Sequence, residues 1–115
     1  MLEVFVRKLA VICFILAACG GDSVSSVYQK DQTSINEITG SNFSIVMELS
    51  DSNSQSISCH IDKECNSEVA QLVDITIENN EMHFNFEAIG EGETEVGIEC
   101  TGTLTENHNY SIVVQ

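Results

Sequence analysis

Three thiols lie in the second half of the chain, Cys59, Cys65 and Cys100, with His60 beside the first. Thiolate and imidazole are soft ligands that hold zinc at about 2.0–2.3 Å. The spacing lacks the C-x2-C pair of structural zinc sites, and in an extended segment His60 points away from Cys59, so no metal site is expected. A thiol–disulfide redox centre fails similarly for want of a C-x-x-C motif. What these thiols can do is cross-link: an oxidising compartment permits one disulfide and leaves one thiol over. Cys59 and Cys65 enclose only His60-Ile-Asp-Lys-Glu64, so the spacing favours a tight clip between them, worth about 2 kcal/mol of loop entropy. Cys59 with Cys100 is the second option, since both share the inward parity of their strands. Cys65 with Cys100 is the third.

The carboxylates and histidines form no comparable set. Asp51-Ser-Asn-Ser-Gln55 spaces oxygen ligands as a calcium loop does, but Ser56 stands where the EF-hand needs glycine, so a solvated turn is expected. Glu91, Glu93, Glu95 and Glu99 follow from alternation on a wet strand and its entering turn. G-x-S-x-G, H-E-x-x-H and P-loop motifs are lacking. His60, His83 and His108 fall singly on outward strand positions or in a turn. No catalytic residue is assigned, and the chain is expected not to be an enzyme.

The elements that must carry these residues are strands. Phe43, Ile45, Met47 and Leu49 alternate with polar or smaller residues, as do Ile57, Cys59 and Ile61, then Val73, Ile75 and Ile77. Met82, Phe84, Phe86 and Ala88 follow, then Thr94, Val96, Ile98 and Cys100, and finally Tyr110, Ile112 and Val114. Period two is the mark of half-buried strands. Asn79-Asn80 tolerates left-handed backbone and predicts a hairpin, Gly90-Glu-Gly92 breaks the run, and Glu106-Asn-His-Asn109 reads as a turn. A weaker strand at Ile35–Ile38 makes seven, and only Glu64–Leu72 offers a helical turn. Seven short strands in about eighty residues predict an all-β fold, a single small antiparallel β-sandwich. Phe43, Phe84, Phe86 and Tyr110 are its expected core aromatics.

The whole chain has 115 residues, 43% of them hydrophobic, with no proline or tryptophan. That is enough for one domain. Eighteen acidic residues against four basic give a formal charge of -14, which repels a phosphate backbone and excludes nucleic acid as a partner.

At the N-terminus Arg7 and Lys8 precede an apolar run from Leu9 to Ala18, too short to span a bilayer that needs about 20 residues. The run ends in Leu16-Ala17-Ala18-Cys19-Gly20. This resembles the lipobox of bacterial lipoproteins: leucine at −3, small residues at −2 and −1, then cysteine. The resemblance implies diacylglyceryl transfer to the Cys19 thiol, cleavage after Ala18, and acyl chains holding the mature protein to a membrane. No other cofactor is implied. Glu3 sits oddly in a basic leader, and translation from Val6 would leave a compact Val-Arg-Lys start. Gly20 stands where some bacteria place an aspartate that retains lipoproteins in the inner membrane, so the bacterial outer membrane is the expected location. Cleavage removes Arg7, Lys8 and Glu3, so the mature chain of 97 residues carries a formal charge of -15.

The domain plan expected is therefore a signal peptide at 1–18, the lipidated cysteine and a flexible tether at 19–34, and a sandwich at 35–115. Fifteen tether residues would reach roughly 50 Å when stretched. Within the sandwich, Gly90, Gly92 and Thr94 before the strand ending at Cys100, with Tyr110-Ser-Ile-Val-Val114 closing the chain, resemble the end of bacterial immunoglobulin-like domains. There a Gly-x-Gly-x-Thr step enters the penultimate strand. The buried tryptophan and the corner tyrosine of antibody domains are missing, so the resemblance implies only the general Ig-like sandwich. The function expected is a structural or protein-interaction module in the cell envelope. It would bind an unidentified envelope protein through an edge strand or end loops, at Tyr110–Gln115 or Asp51–Gln55. The alternative is an acidic inhibitor of a cationic hydrolase such as lysozyme, which so strong a charge would steer.

Overall fold

The structure is a computed structural model that describes residues 25–50, 53 and 55–115. The signal-peptide and lipobox residues, Leu16, Ala17, Ala18, Cys19 and Gly20 among them, lie outside the described residues, as do Asp51, Ser52 and Ser54. Eight strands and no helix are present among the described residues: β1 (Ser26–Gln29), β2 (Ser34–Glu37), β3 (Asn42–Glu48), β4 (Ser58–Lys63), β5 (Ala70–Glu78), β6 (Glu81–Ala88), β7 (Gly92–Thr101) and β8 (Thr105–Val114). They form two four-stranded sheets, ordered β1-β3-β6-β5 and β2-β8-β7-β4. β1 pairs parallel to β3 and β2 parallel to β8, while all other pairings are antiparallel.

The inner faces build the core that the alternation predicts. Phe43, Ile45, Met47, Phe84, Phe86, Val96, Ile98, Tyr110 and Ile112 are each at most 1% exposed. Each such side chain contributes about 1.5–3 kcal/mol by leaving water. Phe43 and Phe86, directly paired across β3 and β6, stack with centroids 5.2 Å apart, and Tyr28 packs edge-on against Phe43 at 6.1 Å.

Local chemistry sets the turns. Asn79 and Asn80 both have positive φ, 52° and 63°, so the β5–β6 hairpin turns through the predicted Asn pair. Gly92 has φ 148°, and a Cβ there would lie 3.0 Å from Val69 Cγ2. Thr94 Oγ1 accepts the Asn66 N–H at 2.7 Å. The Gly-x-Gly-x-Thr step thus seats β7 against the Asn66–Val69 turn.

Three expectations are corrected. The segment read as tether contributes β1: Tyr28 packs a half-buried ring against Phe43 and backbone pairing with β3 organises residues with little apolar character, so the folded part begins by Ser26 rather than Ile35. The last turn is Gly102–Leu104, not Glu106–Asn109, because β8 stays in register with β7 as far as Thr101↔Thr105. The Glu64–Leu72 stretch is not helical; it makes a turn and then enters β5 at Ala70, where Val69 and Ala70 donate to the Asn66 carbonyl at 2.9 and 3.0 Å.

Candidate functional site

The strand directions give the sandwich two distinct ends. β1 enters at the end that also holds the 38–41 and 64–69 connections, the 89–91 loop and Gln115, whose carbonyl accepts the Thr39 N–H at 2.9 Å. The far end carries the 30–33 connection, residues 49–50 and 55–57, the Asn79–Asn80 turn and the Gly102–Leu104 turn.

Residues 59 and 100 meet because β4 and β7 are paired in a register that places them directly opposite. Their Cα atoms are 4.0 Å apart and they form the disulfide. This corrects the favoured Cys59–Cys65 clip. β4 runs on as a strand to Lys63 before the chain turns, which carries Cys65 away from Cys59, and non-hydrogen-bonded antiparallel pairs bring side chains closest. Two of the four residues weighed as zinc ligands are thereby consumed. Cys65 remains a thiol, its S–H donating to the Ala70 carbonyl at 3.2 Å, and burial pushes its pKa up.

The three histidines are held apart, each near one glutamate. His60 Nε2 is 3.2 Å from Glu99 Oε1 across β4 and β7. His108 Nε2 is 3.3 Å from Glu106 Oε1. His83 Nε2 is 3.5 Å from Glu81 Oε1 and is buried with no hydrogen-bond partner. His108 is also not in a turn: it lies on β8, pairs with Ile98 of β7 and faces inward. Glu93, Glu95 and Glu99 occupy the outer face of β7 as expected, and the Lys63 ammonium, 2.7 Å from Glu95, holds that carboxyl below the usual range.

Two hollows result. At the far end the inward positions of β8 become polar, Glu106 and then His108, and the layers part around about 380 Å³ bordered by Lys30, Glu48, Ile57, Leu104, Glu106 and His108. On the flank, between the edge strands β4 and β5, an apolar groove of about 300 Å³ is lined by Ile61, Cys65, Leu72, Phe86 and Val96, with Glu64 at its rim. Neither was legible in the sequence. The expected edge at Tyr110–Gln115 is corrected as well: β8 lies between β2 and β7, so its backbone is paired on both sides.

No family model and no curated protein matches the chain. Its fold is similar to that of the cysteine protease inhibitor EhICP2 from Entamoeba histolytica, at 11% identity and a TM-score of 0.59 over 79% of this chain and 95% of that one. Amebosin is similar at 14% identity and 0.53, covering 80% and 99%. The S-layer protein rSbsC(31-844) is similar at 17% identity and 0.52, over 74% of this chain but 12% of its own length. At these identities the likeness shows the fold.

Proposed function

We propose that this chain is a lipid-anchored bacterial envelope protein whose Ig-like sandwich is a non-enzymatic binding module. The observation that carries the reading is the Leu16-Ala-Ala-Cys-Gly20 lipobox placed just ahead of the entry end of a disulfide-bonded sandwich. A disulfide suits an oxidising envelope. Only residues 20–25 separate Cys19 from β1, a stretched reach of roughly 20–25 Å rather than the roughly 50 Å of the longer tether. The entry end would sit close to the headgroups and the Gly102–Leu104 end would face away.

Intact mass of protein extracted from membranes tests the anchor, with a mass beginning at Cys19 plus acyl chains expected and an unlipidated mass refuting it. Photo-crosslinking from Leu104, 75% exposed, tests the module. Capture of a specific envelope protein from Leu104 but not from Ile38 at the entry end is expected, and no specific capture from any surface position overturns the reading.

A second reading, an inhibitor of a hydrolase, is favoured by the likeness to a structure described as a cysteine protease inhibitor and by the acidic charge. Titration against a basic lysozyme and against a cysteine protease, at low and physiological salt, decides it. Absence of saturable binding to both removes it.

A further inference from the structure

β5 is the least protected edge of the molecule. Edge strands usually blunt themselves by shortness, lysine, proline or a bulge. β1 and β2 have four residues each, and β4 carries a bulge at Asp62 and ends on Lys63. β5 is nine residues long, with neither lysine nor proline, and although it has a bulge at Val73, the five residues Asp74–Glu78 beyond it are regular. The bulge shifts parity, so the inward face of β5 runs Ala70, Leu72, Ile75, Ile77. Ile75 and Ile77 pair with Phe84 and Met82 on that face, yet they are 45% and 63% exposed, so nothing in the described chain covers them. The apolar flank groove continues this stripe past Leu72.

We propose that β5 receives an extended segment of another protein, added as a further strand, that alternates large aliphatic residues with lysine or arginine. Added strands gain affinity from main-chain bonds and specificity from pockets that take alternate side chains. Here the aliphatic side chains would cover Ile75 and Ile77 and enter the groove bounded by Leu72, Phe86 and Ile61. The intervening positions would face Asp74 and Glu78, with Glu64 at the groove rim. Lys63, the nearby cation, is already bonded to Glu95. Charge selects the partner: the mature chain has only Lys30 and Lys63 against its acidic residues, so a second copy brings like charge to this flank and a basic strand brings opposite charge.

The inference rests on the binding-module reading, and its test is separate from partner capture. The purified full-length chain is titrated with an end-blocked nine-residue peptide alternating lysine and isoleucine, and with the same peptide carrying glutamate for lysine, while backbone hydrogen exchange is followed. Saturable binding of the basic peptide alone is expected, with slowed exchange at 74–78. Ile75→Lys/Ile77→Lys, at exposed positions, should weaken binding tenfold or more, and Asp74→Lys/Glu78→Lys should abolish the preference for the basic peptide. Binding without slowed exchange at 74–78, or binding unchanged in both variants, overturns the inference. Protection of 74–78 that rises with protein concentration in the absence of peptide also overturns it, in favour of a second copy. Crosslink capture elsewhere on the surface would still support the module if β5 proves inert.

Discussion

Removing the cross-link between β4 and β7 is the perturbation whose size follows most directly from the structure. Cys59 and Cys100 are separated by 41 residues, and closing a loop of that length removes about 4 kcal/mol of chain entropy from the unfolded state. The Cys59–Cys65 clip would have contributed about 2 kcal/mol. Because a small domain has only about 5–15 kcal/mol in all, the difference is measurable. Urea unfolding is compared for the oxidised chain, the reduced chain, and Cys59→Ala/Cys100→Ala in oxidising buffer. With a slope of roughly 1.5 kcal/mol per molar urea, the midpoint should fall by roughly 2–3 M in both altered forms. The reduced chain keeps its sulfurs in place, so it isolates the cross-link from packing at these two buried sites. A loss below about 1 kcal/mol in the reduced chain, or a non-reducing peptide map joining Cys59 to Cys65, would refute the reasoning.

Other consequences are equally concrete. Phe84→Ala, at a site 0% exposed, should cost about 3–5 kcal/mol, whereas Ile77→Ala on the uncovered stripe should change stability by no more than about 0.5 kcal/mol; chemical denaturation checks both. Gly92→Ala meets Val69 at a φ that side chains rarely adopt and should destabilise by about 1–3 kcal/mol in the same assay. Both tyrosines have raised pKa values, chiefly through burial: Tyr28, which also donates to Glu37, is pushed up to about 12, and Tyr110, whose hydroxyl donates to the Lys30 carbonyl at 2.8 Å, is pushed up further. The folded state therefore keeps protons that the unfolded state releases near pH 10, so stability is full below about 10 and falls as pH rises through 12. Absorbance at 295 nm should show no native tyrosinate near pH 10, and a normal titration there would contradict the packing of both rings.

How legible this fold was depends on whether each feature is local. The alternation at Phe43–Met47 and Met82–Phe86 announces a packed face within one strand, and Asn79-Asn80 announces its own hairpin. β1 was hidden because Ser26-Val-Tyr-Gln29 has almost no period and is held by backbone pairing plus one ring. Polarity at Glu106 and His108 looks like a turn in the sequence, but it marks an open end of the sandwich, not a break in β8. Disulfide choice depended on register across two strands, which sequence spacing alone does not encode. Alternation at Ile75 and Ile77 correctly marks a face, but a face is not a contact: the strand's own period does not say whether another layer covers it. The far-end hollow and the flank groove likewise depend on how the two layers meet, which no single strand encodes.

The parallel entry of β1 also has a mechanical meaning. Its first residue lies at the entry end, and it runs down the sheet alongside β3. Tension between residue 25 and the Gly102–Leu104 end pulls β1 along its own axis, so its bonds to β3 carry the load together instead of peeling off one after another. Tyr28, wedged on Phe43 and tied to Glu37, resists the same displacement. If β1 does slip, the Cys59–Cys100 bridge still keeps the chain between those residues from paying out. A domain pulled between these two ends would resist shear first and then stretch only to a limit set by covalent bonds.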